Sequence, residues 1–167
     1  MVFDIETDSL DASTRIWCIV TRDANTGAIL TSTSLASGHG ASIKVLQEAS
    51  CIIGQNIIGF DLPILQQLLG FLPTKKILDT LTLSRLVYPD LRNDDWKRVG
   101  FNKELIGSHS LKAWGQRLGL LKDTYGENSP YYWRMAKGFW APTGGEVGVY
   151  SEADIIQSGA MQKATFG

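Results

Sequence analysis

A short, wholly apolar run, Cys51-Ile52-Ile53, most constrains the fold. It follows a segment whose Ile43, Val45, Leu46 and Ala49 suit a short helix, and it ends at Gly54-Gln55-Asn56. A strand apolar on both sides is buried on both faces, as in a parallel sheet covered by helices. The residues ahead of it read differently. Val2–Glu6 is a β-forming run, and Arg15–Thr21 is a second. The polar Asp23-Ala-Asn25-Thr-Gly27 turn leads into a return strand over Ala28–Ser34. An antiparallel meander feeding a parallel strand predicts an α/β fold with a mixed central β-sheet flanked by helices.

The later helices are marked by period and punctuation. Leu62, Ile64, Leu65, Leu68 and Leu69 recur at helical spacing after Asp61, Pro63 sits in the first turn, and Gly70 closes the run. Asp79-Thr80 opens a helix that carries Leu81, Leu83, Leu86 and Val87 and stops before Pro89, with Asp79 as its cap. Residues 89–108 read as a polar, basic connection. Ser108 or Ser110 starts the next helix, with Leu111, Trp114 and Leu118 on one stripe and Gly119 as its stop. Residues 125–140 are aromatic-dense, and Tyr125, Tyr131, Tyr132, Trp133, Phe139 and Trp140 are expected to cover the sheet, with stacking on single-stranded bases as the alternative. Thr143-Gly-Gly-Glu146 has the form of a capping box opening a helix through about Ser158.

The 167 residues fit a single domain over 1–167, and 44% hydrophobic with 20% charged residues is ordinary for a globular chain. No apolar run approaches a membrane span, and no secretory signal pattern opens the chain, so a cytoplasmic protein is expected. Cys18 and Cys51 lie among β-forming apolar residues and read as buried free thiols. Net charge is −1, but residues 75–122 hold ten Lys and Arg against five acids. Arg85, Arg92, Lys97, Arg98 and Lys112 are candidates for contacts to a polyanion. His39 is expected to be exposed, and His109 to serve structure or to contact a phosphate.

The acids carry the chemistry. Residues i and i+2 of a strand share a face, so Asp4 and Glu6 project together. Two carboxylates that close repel unless a cation separates them, and hard divalent cations take oxygen ligands. Asp61 stands at a strand-to-helix turn, where an N-cap is the ordinary role. Tyr150 and Asp154 share one helix face at i, i+4. In an open α/β sheet such residues can converge on the crevice beyond the strand ends.

Asp4-Ile-Glu6-Thr7 with Leu10, Asn56-x-x-x-Phe60-Asp61 and Tyr150-x-x-x-Asp154 resemble the three motifs of the DEDD superfamily of 3′–5′ exonucleases. Position 149 is Val, so the histidine of the other subclass is absent and Tyr150 matches the tyrosine subclass. The blocks Ile77-Leu-Asp79-Thr-Leu-Thr-Leu-Ser-Arg85-Leu and Gly107-Ser-His109-Ser-Leu-Lys-Ala-Trp114-Gly-Gln-Arg117-Leu-Gly resemble the proofreading domain of T-odd podophage family A DNA polymerases. The resemblance spans Met1 to about Ile156. Such polymerases continue into palm, fingers and thumb, which this sequence does not contain.

The resemblance implies a ribonuclease H-like fold and hydrolysis of DNA 3′ ends to 5′-mononucleotides. It implies two divalent cations, Mg²⁺ or Mn²⁺, held by Asp4, Glu6, Asp61 and Asp154, with Tyr150 orienting the attacking water. Leu10 would wedge against the terminal base. Thr7 and Asn56 would contact the terminal sugar or phosphate, and Phe60 would line the substrate site beside them. The implied partners are single-stranded DNA or frayed 3′ ends and a separate DNA polymerase, with the exonuclease itself a monomer in the cytoplasm, the host's if phage-encoded. Two alternatives stand beside this reading: a catalytically weak nucleic-acid-binding or polymerase-docking module, and an exonuclease trimming RNA 3′ ends.

Overall fold

In a computed structural model of the chain, the described residues are 1–10, 12–34 and 38–120. Strand β1 (Val2–Thr7) pairs antiparallel with β2 (Ile16–Arg22), and β2 pairs antiparallel with β3 (Ile29–Thr33). Helix α1 (Gly40–Glu48) then crosses to β4 (Cys51–Gly54), which lies parallel to β1. Helix α2 (Asp61–Leu69) crosses to β5 (Lys76–Asp79), parallel to β4. The sheet order is β3-β2-β1-β4-β5. This mixed five-stranded sheet with flanking helices is the α/β, ribonuclease H-like architecture expected from the sequence.

Each face of the sheet has its own apolar layer. Phe3, Ile5, Ile19 and Ile52 pack with Leu46 of α1 and with Leu62, Ile64 and Leu65 of α2. The opposite face gathers Val2, Cys18, Val20 and Ile53, with half-buried Cys51 and Leu78 beside them. Both cysteines are free, and Cys18 is the fully buried one. Beyond the sheet, α3 (Thr80–Val87), α4 (Leu91–Trp96) and α5 (Leu111–Leu118) enclose a smaller cluster of Tyr88, Leu91, Trp114 and Leu118.

Three expectations need correction. Residues 76–79, given no strand in the sequence reading, form strand β5, because pairing with β4 decides the state of a segment with so few apolar residues of its own. The stretch 89–108 is not a plain connection: it contains α4 and a 3₁₀ turn at Lys103–Leu105. His39 is half-buried, with Nε2 2.9 Å from the Ile16 carbonyl and Nδ1 3.3 Å from Ser32 Oγ. That places the proton on Nε2, with Nδ1 accepting from Ser32, and ties the start of α1 to β2 and β3. The aromatic segment 125–140, the helix from Thr143, Tyr150 and Asp154 lie outside the described residues. Among the described residues, no helix is long and apolar enough to cross a membrane.

Candidate active site

The site begins on the central strand. In β1, Phe3, Ile5 and Thr7 are buried, whereas Asp4 and Glu6 are half-buried on the other face, the face of Val2. The β1–β2 register shifts between Glu6 and Thr7, so Glu6 pairs with Cys18 and Thr7 with Ile16. An irregularity of this kind bends a strand and re-aims its side chains. Here it stands directly after the acid pair.

Asp61 reaches the same strand from α2. Its side chain is buried, and Oδ1 accepts the Ile5 amide at 3.3 Å. That amide lies in the chain between Asp4 and Glu6, so Asp61 is tied to the backbone of β1 between the two acids. Asp61 is not the N-cap of α2. Phe60 holds that position, without a side-chain cap bond, and Asp61 is the first helical residue. Phe60 is half-buried and packs against the main core.

The turn from β4 into α2 carries Asn56. Asn56 has φ 59°, and it is the sole non-glycine residue with positive φ among the described residues. Asparagine tolerates this left-handed conformation better than most side chains. A Cβ at Gly59 would lie 2.8 Å from Asn56 Oδ1, so any larger residue there would displace that exposed side chain. The turn closes with the Gly59 and Phe60 amides on the Asn56 carbonyl at 3.1 and 3.0 Å. It is held from below by β5 and α3. Asp79 Oδ1 accepts from the Asn56 amide at 3.1 Å and Oδ2 from the Ile58 amide at 3.0 Å. Thr80 Oγ1 lies 3.1 Å from the Gly54 carbonyl and 2.7 Å from Gln55 Oε1, while Gln55 Nε2 donates to the His109 carbonyl at 3.0 Å.

The turn after β1 presents Leu10, whose side chain is 83% exposed. Thr7 is buried beneath it. Its hydroxyl donates to the Ser9 carbonyl at 2.8 Å and accepts from Ser13 Oγ at 3.2 Å. Because β1 and β4 are parallel, this turn and the Asn56 turn follow the same edge of the sheet.

His109 sits at the start of α5. Ser84 Oγ donates to the Leu81 carbonyl at 3.0 Å, so across the 2.9 Å separation it accepts from His109 Nδ1. Burial, then the Arg117 and Arg85 charges, hold the imidazole below its ordinary pKa. A neutral ring with Nδ1 protonated offers an acceptor at Nε2, which does not suit the phosphate-contacting option. Arg85, Arg92, Lys97, Arg98 and Lys112 all lie on exposed positions of this basic half.

The sequence gives no sign that Asp95 and Arg117 are partners. They are a buried ion pair that ties α4 to α5, and the guanidinium packs 5.4 Å from the Phe101 ring centre and 5.1 Å from that of Trp114. No periodic signal marks such a pair, since the partners are set by packing across separate helices.

Asp4, Glu6 and Asp61 supply oxygen donors alone, the chemistry that Mg²⁺ and Mn²⁺ prefer. Among the described residues, no three His, Cys, Asp or Glu side chains are gathered closely enough to hold a metal ion.

No protein-family model matches the chain. It is 31% identical over 140 residues to the DNA-directed DNA polymerase of Escherichia phage T7, and 31% identical over 140 residues to that of Enterobacteria phage T3. Each match covers 75% of this chain but 20% of the polymerase, so the chain corresponds to about one fifth of the length of these curated relatives. The chain is thus related, over three quarters of its length, to a segment of phage DNA-directed DNA polymerases.

Proposed function

We propose that the chain is a metal-dependent 3′–5′ exodeoxyribonuclease of the tyrosine subclass, acting as one domain on single-stranded or frayed DNA 3′ ends. The observation that carries this reading is the meeting of Asp61 with β1 at the Ile5 amide, beside Asp4 and Glu6. Asp61 belongs to the second exonuclease motif and lies 55 or more residues from Asp4 and Glu6 of the first. The relation to phage DNA polymerases supports the choice of DNA as substrate.

The chemistry explains the residue types. A phosphodiester is anionic and resists attack by water, and two divalent cations, when bound, supply charge neutralisation and acidify the attacking water. Asp4, Glu6 and Asp154 would hold one cation, and Asp4 with Asp61 the other, the latter through water. Tyr150 would orient the attacking water through its hydroxyl. Leu10, exposed at the strand end, would separate the last base from its neighbour, and stacking on an apolar side chain tolerates any base. Asn56 and Thr7 would grip the terminal nucleotide, with Phe60 beside them. Thr7 acts through the turn that its hydroxyl holds. Mispaired ends unpair at lower cost, which would favour their removal. The expected setting is the cytoplasm, as a monomer working beside a separate polymerase.

The test is digestion of 3′-labelled and 5′-labelled single-stranded DNA by wild type and Asp4→Ala in Mg²⁺, Mn²⁺ or EDTA. Immediate mononucleotide release from the 3′ label and a descending ladder from the 5′ label are expected, both abolished by EDTA or Asp4→Ala. A folded protein that leaves both DNAs intact with either metal would sink the proposal. Faster digestion of a matched RNA tail would reassign the substrate.

A further inference from the structure

The Asp79 carboxylate is 4% exposed and accepts four backbone N–H groups. Two belong to the first turn of α3, from Leu81 at 2.9 Å and Thr82 at 3.2 Å, which is ordinary helix capping. The other two, from Asn56 and Ile58, have nothing to do with α3. A helix cap needs one acceptor. The second oxygen and the buried placement therefore serve the turn that follows β4.

That turn needs an external hold. Asn56 is in the left-handed region, and a single residue held there costs on the order of 1 kcal/mol or more unless its surroundings fix it. The Asn56 and Ile58 amides stand on either side of Ile57, and Asp79 binds both, one on each oxygen. The side chains thus displayed are Asn56, exposed, and Ile58, 55% exposed. Asp61 follows them but has its own tie, to the Ile5 amide.

We infer that Asp79 is a positioning residue for substrate: its carboxylate fixes the Asn56–Gly59 turn, so that Asn56 and Ile58 meet the terminal nucleotide in one conformation. The inference rests on the exonuclease reading for the identity of the substrate, while the anchoring itself does not. Asp79 acts through the turn and touches no reacting atom. Its loss should weaken the grip on the DNA end more than it slows cleavage, because the Asp61 contact to β1 is independent of it.

Two substitutions separate this role from capping. Asp79→Ser retains an oxygen for the α3 amides but cannot span to both turn amides. Asp79→Asn keeps one acceptor oxygen and sets an NH₂ group against the Ile58 amide. In Asp79→Ser, hydrogen exchange at Asn56 and Ile58 should accelerate roughly tenfold or more, with Leu81 and Thr82 still protected, and KM for a single-stranded oligonucleotide should rise by about the same factor, a size typical of losing a hydrogen bond to a charged group. Asp79→Asn should release Ile58 alone and give a smaller rise in KM. Wild-type exchange at Ile58 in both variants would overturn the anchoring. Freed turn amides with an unchanged KM would overturn the positioning role. A wild type without nuclease activity would instead overturn the exonuclease reading, and the exchange result would still decide whether Asp79 holds the turn.

Discussion

Asp95 and Arg117 meet in a two-pronged ion pair, Nε donating to Oδ1 at 2.9 Å and Nη2 to Oδ2 at 2.7 Å, with both side chains almost wholly removed from solvent. The Gly107 amide adds a third bond, to Asp95 Oδ2 at 2.8 Å. Removing one member strands a buried charge. Arg117→Ala is therefore expected to destabilise the fold by ~3–5 kcal/mol, read from urea denaturation. A loss below about 1 kcal/mol would mean that the pair is open to water in solution.

The same pair predicts an acid response. Burial by itself would raise the Asp95 pKa, but the Arg117 hydrogen bond, the Gly107 amide and the Arg117 and Arg98 charges outweigh it and hold the group below its ordinary 3.8. A depressed carboxyl contributes stability above its unfolded pKa and loses it as pH falls through the folded value. The stability gap between wild type and Asp95→Asn should thus be full near pH 6 and narrow below about pH 3.8. A gap of constant size in urea titrations at pH 6 and pH 3 would contradict the assignment.

His109 should act in a higher window. Its folded pKa is lowered from 6.5 by burial and then by the Arg117 and Arg85 charges, so the unfolded chain takes up the proton first. Stability linked to this ring is complete above pH 6.5 and declines as pH falls toward the folded value. His109→Gln should flatten the change in urea midpoint between pH 7.5 and pH 5. An unaltered pH dependence would show that the ring titrates normally in the folded state.

On the exonuclease reading, Asp4 and Glu6, which share one face of β1, would hold a cation between them. Mg²⁺ or Mn²⁺ should accordingly raise the melting temperature of the wild type, an ion at ~100 times its Kd being worth about 2.7 kcal/mol. Asp4→Asn should remove most of that increase. A wild-type melting temperature that ignores both ions at millimolar concentration would detach this pair from metal binding, whatever the nuclease assay shows.

Gly54, at the end of β4, has room for nothing larger. A Cβ there would come within 2.8 Å of the Phe3 carbonyl oxygen and would also clash with the Ile57 side chain. The first neighbour is backbone and cannot swing away. Gly54→Ala should cost about 1–3 kcal/mol by thermal or urea denaturation, as over-packing does. A neutral effect would indicate that β1 and β4 separate easily at this point.

What the sequence made legible was what neighbouring residues decide. The alternation in β1 placed Asp4 and Glu6 on one face, the apolar run at 51–53 announced a parallel strand, and Gly70 and Gly119 ended helices in the left-handed conformation. Asp79 was legible as a cap because a cap is local. Its bonds to Asn56 and Ile58 were not, since they span 23 and 21 residues and depend on β4 lying beside β5. For the same reason β5 itself was missed: Ile77 and Leu78 between a lysine and an aspartate carry little β signal until Cys51–Gly54 pairs with them. His39 was misread because its partners, Ile16 and Ser32, belong to strands that only the folded sheet brings to it.

The four amides on Asp79 have a consequence for how the protein responds to ionic strength. The charge of this carboxylate is balanced by fixed peptide dipoles inside the fold, not by an exposed cation, so dissolved ions screen it little. Arg85, Arg92, Lys97, Arg98 and Lys112 are exposed, and whatever they contribute to holding DNA fades as salt competes for the phosphates. On the exonuclease reading, raising salt should thus weaken capture of the DNA while the Asn56 turn keeps its shape.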